Sequence, residues 1–219
     1  MTSVLLVHGA GTGPWIFDGW GDVFPQETLV AVDLHEGLDV SDASIGDYAD
    51  AVVRAAAPLM RPLVVVGWSL GGLVSMVAAA GADPDALVLL DASPPLEVQG
   101  ERDVPLVRGS FDPEDAGAVF PPGVRKRRES RLAMAERDRG VSVSRLPMPT
   151  LVVFSAALRE DRGPRLARRY GADQLDAGNA SHWDLVLDPA IRREIARWTR
   201  SRGTLGVARG GLQRSGSVP

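Results

Sequence analysis

The chain has 219 residues, of which 45% are hydrophobic and 24% charged, and its net charge is −4 at pH 7. This length fits one domain, and the absence of cysteine excludes disulfides, thiolate metal sites and a cysteine nucleophile. Because no apolar run approaches the roughly 20 residues that span a bilayer, and the chain starts without the basic segment of a secretion signal, we expect a cytoplasmic protein without membrane contact.

Short and continuously apolar segments predict the strands of a parallel sheet. They cover residues 4–7, 29–32, 63–66, 87–90, 151–154 and, more weakly, 172–175. Apolar residues that do not alternate with polar ones indicate strands buried on both faces, which is typical of parallel sheets covered by helices.

Helices are predicted between these strands. The candidates are residues 15–24, 45–60, 70–80, 162–170 and 190–202. The alternation of strands and helices predicts an α/β fold, a mostly parallel twisted sheet of about six strands with helices on both faces. We expect residues 1–202 to form this single domain, and residues 203–219, rich in Gly, Ser and Arg, to form a disordered tail.

A glycine-rich loop, residues 8–13, follows the first strand. It reads His-Gly-Ala-Gly-Thr-Gly, and such a turn lets a backbone N–H point into a site, with the N–H of Ala10 as the candidate. A dinucleotide-binding turn is excluded because Pro14 and Trp15 follow and the Gly-x-Gly-x-x-Gly pattern is absent. We expect the His8 ring to brace this loop.

The third predicted strand leads into a helix through Gly-Trp-Ser-Leu-Gly, residues 67–71. This Gly-x-Ser-x-Gly turn, here called the elbow, is too sharp for side chains at its flanks, and it holds a serine hydroxyl at the carboxyl edge of a sheet. Ser69 is therefore the predicted nucleophile. The N–H of Leu70, directly after it, is the second candidate oxyanion donor.

Residues 97–146, here called the insertion, interrupt the regular alternation. The segment contains no predicted strand, and a charged helical stretch covers residues 123–140. It is either a lid over the carboxyl edge of the sheet or a solvent-facing connector.

Charge is unevenly distributed along the chain. Residues 1–99 carry two basic and 13 acidic side chains, whereas residues 100–219 carry 22 basic and 15 acidic ones. This asymmetry reflects either solvated helix faces or a basic surface, with residues 125–131 as the candidate, for an acidic partner.

His182 is the candidate base. It lies in a loop of small residues after the last predicted strand, downstream of Ser69. A base, an orienting acid and oxyanion donors are what a serine nucleophile requires. The other two histidines are His8 and His35, and we expect His35 to be a surface or supporting residue.

Taken together, the glycine-rich loop, the elbow and the Ser181-His182-Trp183 loop resemble the α/β-hydrolase superfamily over roughly residues 3–202. The resemblance implies Ser69 as nucleophile, His182 as base, and Ala10 and Leu70 as oxyanion donors. It implies no cofactor and no metal.

The orienting acid departs from the family pattern. Where many members carry an Asp after the penultimate strand, this chain has Leu158, and Glu160 and Asp161 follow. Some members carry the acid at the end of the preceding strand, where this chain has Asp91. Asp91 is therefore the first candidate, Asp161 and Glu160 are the alternatives, and a dyad without an acid remains open.

Tryptophans cluster near these motifs and predict an apolar, aromatic-lined pocket formed by Trp15, Trp68 and Trp183. The sequence thus predicts a serine hydrolase that cleaves an ester, lactone or thioester of a small hydrophobic substrate. The alternatives are a lyase or cyclase that uses the same Ser/His site, a thioesterase acting on an acyl carrier protein, and a non-catalytic binding module. Nucleic acid is a poor partner for a chain with negative net charge and no recognition motif.

Overall fold

The computed structural model describes the backbone of residues 1–210 and the side chains of residues 1–202. Its strands are β1 (Ser3–Val7), β2 (Thr28–Val32), β3 (Leu63–Trp68), β4 (Ala86–Leu90), β5 (Ser110–Phe111), β6 (Glu129–Ser130), β7 (Thr150–Phe154) and β8 (Asp173–Asp176). Six of them form one parallel sheet in the order β2-β1-β3-β4-β7-β8, while β5 and β6 form a separate antiparallel pair.

The predicted α/β fold is confirmed, and all six predicted strands lie in the parallel sheet. Successive side chains of a strand face opposite sides. In β1, Leu5 and Val7 belong to one hydrophobic core and Val4 and Leu6 to the other. Burial on both faces is the physical reason for the unbroken apolar runs.

Helices cover both faces of the sheet. They are α1 (Ile45–Ala56), α2 (Leu70–Ala82), α3 (Leu96–Gln99), α4 (Arg131–Arg139), α5 (Arg162–Tyr170), α6 (Asp184–Leu187) and α7 (Pro189–Gly210). Helices α1, α2 and α5 contribute to one core, and α6 and α7 to the other.

Two predicted helices differ in extent. The single helix predicted over residues 15–24 is instead two 3₁₀ turns, Pro14–Phe17 and Trp20–Asp22, because Gly19 between them has φ of +80°. Helix α1 ends at Ala56 rather than at residue 60, since Pro58 offers no N–H to continue the hydrogen-bonding pattern.

The insertion contains short strands that the sequence does not predict. β5 and β6 pair over two residues each, and the helix predicted over residues 123–140 is confined to α4. The reason is local, because the Ser130 hydroxyl accepts a hydrogen bond from the Ala133 N–H and so caps α4 at its start.

The chain end departs from the predicted disordered tail over part of its length. Helix α7 continues through residues 203–210, where extension of an existing helix costs less than starting a new one. Residues 211–219 lie outside the described part of the chain.

Helix α2 packs so closely on β1 that Gly71 leaves no room for a side chain. A Cβ at this position would overlap the backbone carbonyls of Val7 and His8. Backbone atoms cannot rotate away as a side chain can, so the helix and the strand would have to separate.

We therefore expect Gly71→Ala to lower the free energy of unfolding by about 1–3 kcal/mol, measured by urea denaturation. Gly21→Ala is the matched control, since a Cβ there meets nothing within 4 Å. Equal stability of the Gly71 variant and the control would contradict the close approach.

Candidate active site

The elbow holds Ser69 in a backbone conformation that L-residues rarely adopt. Its φ of 56° and ψ of −121° lie between the end of β3 and the start of α2. The neighbouring glycines are required by close approaches: a Cβ at Gly67 would lie 2.5 Å from the Ser75 Oγ, and a Cβ at Gly72 would overlap Ala92. Tight packing on both sides therefore maintains the strain at Ser69.

His182 forms a hydrogen bond with a buried carboxylate. Its Nδ1 lies 2.9 Å from Oδ2 of Asp91, whose side chain is 1% exposed. A carboxylate next to Nδ1 favours the tautomer with hydrogen on Nδ1, which leaves the Nε2 lone pair free to accept a proton. This is the arrangement that general base catalysis requires.

The backbone around Asp91 fixes its direction. Asp91 follows β4 with φ of +40°, a conformation that Asp tolerates better than most residues. Its second oxygen, Oδ1, accepts the N–H of Ser155, which follows the adjacent strand β7. The carboxylate is thus held at both oxygens.

Hydrogen bonds of the Ser69 backbone bring the elbow to the same edge of the sheet. The Ser69 N–H donates to the Leu90 carbonyl, and the Ser69 carbonyl accepts from the Ser93 N–H, each at 2.9 Å. The two partners flank Asp91. The structure therefore brings together Ser69, Asp91 and the ring of His182 that contacts Asp91.

The alternative acids lie elsewhere. Asp161 is the residue before α5 and forms a solvent-exposed ion pair with Arg165 at 3.0 Å. Glu160 is exposed. Asp91 is the carboxylate that contacts the base, so among the candidates that the sequence leaves open it is the one with the required geometry.

The glycine-rich loop packs directly against the elbow. A Cβ at Gly9 would lie 2.9 Å from the Ser69 Cβ and equally close to the Trp68 ring. This contact brings the neighbouring Ala10 beside the elbow. Leu70 is the first residue of α2, where backbone N–H groups have no partner within the helix. Both predicted oxyanion donors therefore belong to segments that adjoin Ser69.

His8 is completely buried and acts as a structural brace. Its Nε2 accepts hydrogen bonds from the Leu34 N–H at 3.2 Å and from the Arg127 guanidinium at 2.9 Å, while Nδ1 donates to the Gly9 carbonyl. Burial and the Arg127 charge lower the pKa of His8 to about 4. The ring is therefore neutral at pH 7, with its hydrogen on Nδ1.

The tryptophans occupy different positions around the base. Trp68 is 1% exposed, lies 4.8 Å from His182 between ring centroids, and donates from Nε1 to the His182 carbonyl. Trp183 contacts both Trp68 and Phe120 of the insertion, with centroid distances of 5.0 and 5.2 Å. Trp68 therefore packs against the His182 ring, and Trp183 extends these aromatic contacts to Phe120 of the insertion.

Trp15 is half-buried and packs against Gly13 of the glycine-rich loop. It lines a cleft of about 330 Å³ together with Val124 and Arg125. The Arg125 guanidinium stacks on the indole at 3.5 Å, and the indole Nε1 donates to the Arg125 carbonyl. Its predicted role in a substrate pocket stays a prediction.

Sequence reasoning missed a buried polar group beside the glycine-rich loop. Glu129 of the insertion contacts Gly11, Tyr48 and His35. Gly11 and Glu129 are 118 positions apart, and the pattern around residue 129 reads as a charged surface stretch. No signal in the single sequence marks this contact.

Comparison with known proteins agrees with the fold. A family model described as "Alpha/beta hydrolase family" matches residues 4–212. A pimeloyl-[acyl-carrier protein] methyl ester esterase of Neisseria meningitidis (serogroup A) is 38% identical over 78 residues, which are 35% of this chain and 25% of that protein. The chain thus matches about a quarter of the length of this curated relative.

Solved structures share the architecture at low sequence identity. Polyneuridine aldehyde esterase has a TM-score of 0.63 at 14% identity, covering 91% of this chain and 99% of that one. The RedJ thioesterase from the prodiginine pathway of Streptomyces coelicolor has a TM-score of 0.64 at 17% identity, and the match covers 92% of this chain and 85% of that one. Tomato methylketone synthase I has a TM-score of 0.67 at 15% identity, and the match covers 92% of this chain and 98% of that one.

The chain belongs to the α/β-hydrolase family, because the family model spans nearly its whole length. The resemblance seen in the sequence is confirmed. Within residues 1–210, no helix is long and apolar enough to cross a lipid bilayer.

Replacement of the buried acid provides a test of the site. We expect Asp91→Asn to lower kcat by about 10³- to 10⁴-fold, because an amide no longer holds the required tautomer of His182. The measurement is steady-state hydrolysis of a p-nitrophenyl ester.

Asp161→Asn is the matched control, since this carboxylate is exposed and pairs with Arg165. We expect it to retain wild-type turnover. Loss of turnover in the Asp161 variant with retention in the Asp91 variant would contradict the assignment.

Proposed function

We propose that this protein is a serine hydrolase that cleaves an ester, lactone or thioester of a small hydrophobic substrate through an acyl-serine intermediate. The observation that carries the proposal is the 2.9 Å contact between His182 Nδ1 and the buried Asp91 carboxylate, formed where Ser69 occupies a strained turn at the same edge of the sheet. Nucleophile, acid and base then follow the chain order Ser69, Asp91, His182.

In the first half of the proposed reaction, His182 Nε2 removes the Ser69 hydroxyl proton as Oγ forms a bond to the substrate carbonyl carbon. The Asp91 carboxylate stabilises the imidazolium that results. The N–H groups of Ala10 and Leu70 stabilise the oxyanion. The intermediate collapses when the bond to the alcohol or thiol breaks and His182 returns the proton to the leaving group.

In the second half, His182 removes a proton from water, and the hydroxide oxygen attacks the acyl carbon. The bond to Ser69 Oγ breaks, His182 protonates Oγ, and the carboxylic acid leaves. The aromatic surroundings of the base, formed by Trp68 and Trp183, favour a hydrophobic acyl group.

The direct test is covalent labelling of Ser69. We expect a fluorophosphonate to modify wild-type protein at Ser69, detected by peptide mass spectrometry, and we expect Ser69→Ala to lower ester turnover by at least about 10⁴-fold. In ¹⁸O-labelled water the product acid should carry the label. Ser75→Ala is the control, because this hydroxyl is buried and donates to the Gly71 carbonyl within α2.

The other activities predict different outcomes of the same test. A lyase or cyclase would require Ser69 for turnover but would yield no acyl-enzyme and no ¹⁸O-labelled acid. A binding module would resist the fluorophosphonate altogether. Either result would refute hydrolysis.

We also propose, as the finer alternative, that the acyl group arrives on an acyl carrier protein. Two observations favour it: the matched relative is named as an esterase of a carrier-bound ester, and Arg125 and Arg128 are exposed beside the glycine-rich loop. Arg127 is unsuitable for docking, because its charge is paired with the Asp33 carboxylate. The guanidinium of Arg128 binds the neutral Ser110 and that of Arg125 stacks on Trp15, and neither contact neutralises the charge.

Charge reversal tests the docking surface. We expect Arg125→Glu combined with Arg128→Glu to lower kcat/KM for a carrier-bound thioester by about 10-fold or more, because like charges then face the acidic carrier. Hydrolysis of a free ester should be unchanged.

Arg54→Glu combined with Arg168→Glu is the matched control, since these exposed residues of α1 and α5 give the same change in net charge. An equal loss in both double variants would show a general charge effect and refute docking at residues 125–128.

A further inference from the structure

A buried carboxylate of the insertion binds the backbone of the glycine-rich loop. Glu129, in β6, is 1% exposed, and its Oε2 accepts a hydrogen bond from the Gly11 N–H at 2.9 Å. Gly11 directly follows Ala10, whose N–H is the proposed oxyanion donor. The insertion therefore reaches the backbone next to the site of the proposed reaction.

The other carboxylate oxygen, Oε1 of Glu129, has three further partners. The Tyr48 hydroxyl donates to it at 2.6 Å, the Ser130 N–H donates at 2.8 Å, and His35 Nε2 lies 3.3 Å away. Burial alone would raise the pKa of Glu129, but hydrogen bonds from His35, Tyr48 and Ser130, together with the electrostatic interaction with His35, lower it to about 2. Glu129 is therefore ionised at neutral pH.

The same loop residue is held from its other side. The Arg127 N–H donates to the Gly11 carbonyl at 2.9 Å, so residues 127 and 129 of the insertion bind both polar groups of one peptide residue. Gly11 has φ of +70°, and a Cβ there would come within 3.0 Å of Phe120 and closer to Pro113. The loop is thus enclosed by the insertion as well as hydrogen-bonded to it.

From these contacts we infer that Glu129 is a positioning residue, which sets the direction of the Ala10 N–H by holding the adjacent Gly11 N–H. The inference rests on the proposed function, because the direction of this donor matters only where an oxyanion forms. Oxyanion donors act over about 2.7–3.1 Å, and a displacement of about 1 Å can cost about 100-fold in rate.

The chemistry of the four partners explains why a carboxylate is required. Gly11, Tyr48 and Ser130 each present a hydrogen atom to Glu129, as does His35 in the tautomer with hydrogen on Nε2. A carboxylate accepts at both oxygens. A glutamine has only one accepting oxygen. That oxygen would satisfy the three donors at the Oε1 position, which leaves its NH₂ group facing the Gly11 N–H, so Glu129→Gln removes the loop contact selectively.

Kinetics of two variants test the inference. We expect Glu129→Gln to lower kcat for a p-nitrophenyl ester by about 10- to 100-fold with little change in KM, because donor alignment matters in the transition state more than in substrate binding. The rate of fluorophosphonate labelling of Ser69 should fall in parallel.

Tyr48→Phe is the matched control, since it removes a hydrogen bond to Oε1 but leaves the Gly11 contact in place. We expect its kcat to stay close to that of the wild type, and its free energy of unfolding to fall by an amount similar to that of Glu129→Gln. Unchanged kcat in Glu129→Gln, or an equal loss in Tyr48→Phe, would overturn the positioning role.

A measurement that does not depend on turnover separates this inference from the proposed function. The amide ¹H–¹⁵N signals of Ala10 and Gly11 should shift and lose protection from hydrogen exchange in Glu129→Gln, but not in Tyr48→Phe. Unchanged signals in Glu129→Gln would overturn the inference. If Glu129→Gln shows these responses while the wild-type protein forms no acyl-enzyme, the hydrolase proposal alone is refuted.

Discussion

The candidate active site depends on one steric constraint, the close packing of α2 against β1 and β3. Glycines at positions 67 and 71 allow backbone and side-chain atoms to approach where a Cβ would overlap them. This contact forces the chain through a sharp turn and holds Ser69 at φ of 56°. The strained serine then lies at the carboxyl edge of the sheet, where open α/β sheets place their sites. The fold therefore supplies a rigid frame before any catalytic partner is added.

The order of the strands determines which carboxylate can serve the base. Strand β4 lies between β3, which carries the elbow, and β7. A residue directly after β4 is therefore adjacent to Ser69, and Asp91 can be oriented there by the Ser155 N–H that follows β7. The later candidate, Asp161, directly precedes α5 and faces solvent. Position in the sheet, rather than residue type, distinguishes the two.

The electrostatics around the glycine-rich loop follow from burial. A buried charge is tolerated only where several hydrogen bonds replace water, and Glu129 meets this condition with four donors. The neighbouring His8 is also buried, but it stays neutral rather than charged, and its Nε2 accepts hydrogen bonds. Both groups stabilise the same loop, and neither is open to solvent. The insertion thus helps to hold the glycine-rich loop in place, through the contacts of Glu129 and Arg127 with Gly11.

Local patterns in the sequence determined the six strands, the elbow with Ser69, and the loops that carry His182 and Ala10. Each of these depends on residues close together in the chain: apolar runs for strands, glycines for sharp turns, small residues around a loop histidine. The tertiary structure alone decided the contact of Asp91 with His182, the contact of Glu129 with Gly11, and the two 3₁₀ turns where one helix is predicted. The first two are pairings across 91 and 118 positions. They depend on which strands become neighbours and how the insertion folds back. Local pattern left Asp91 as one of several candidate acids, and no local signal marks Glu129.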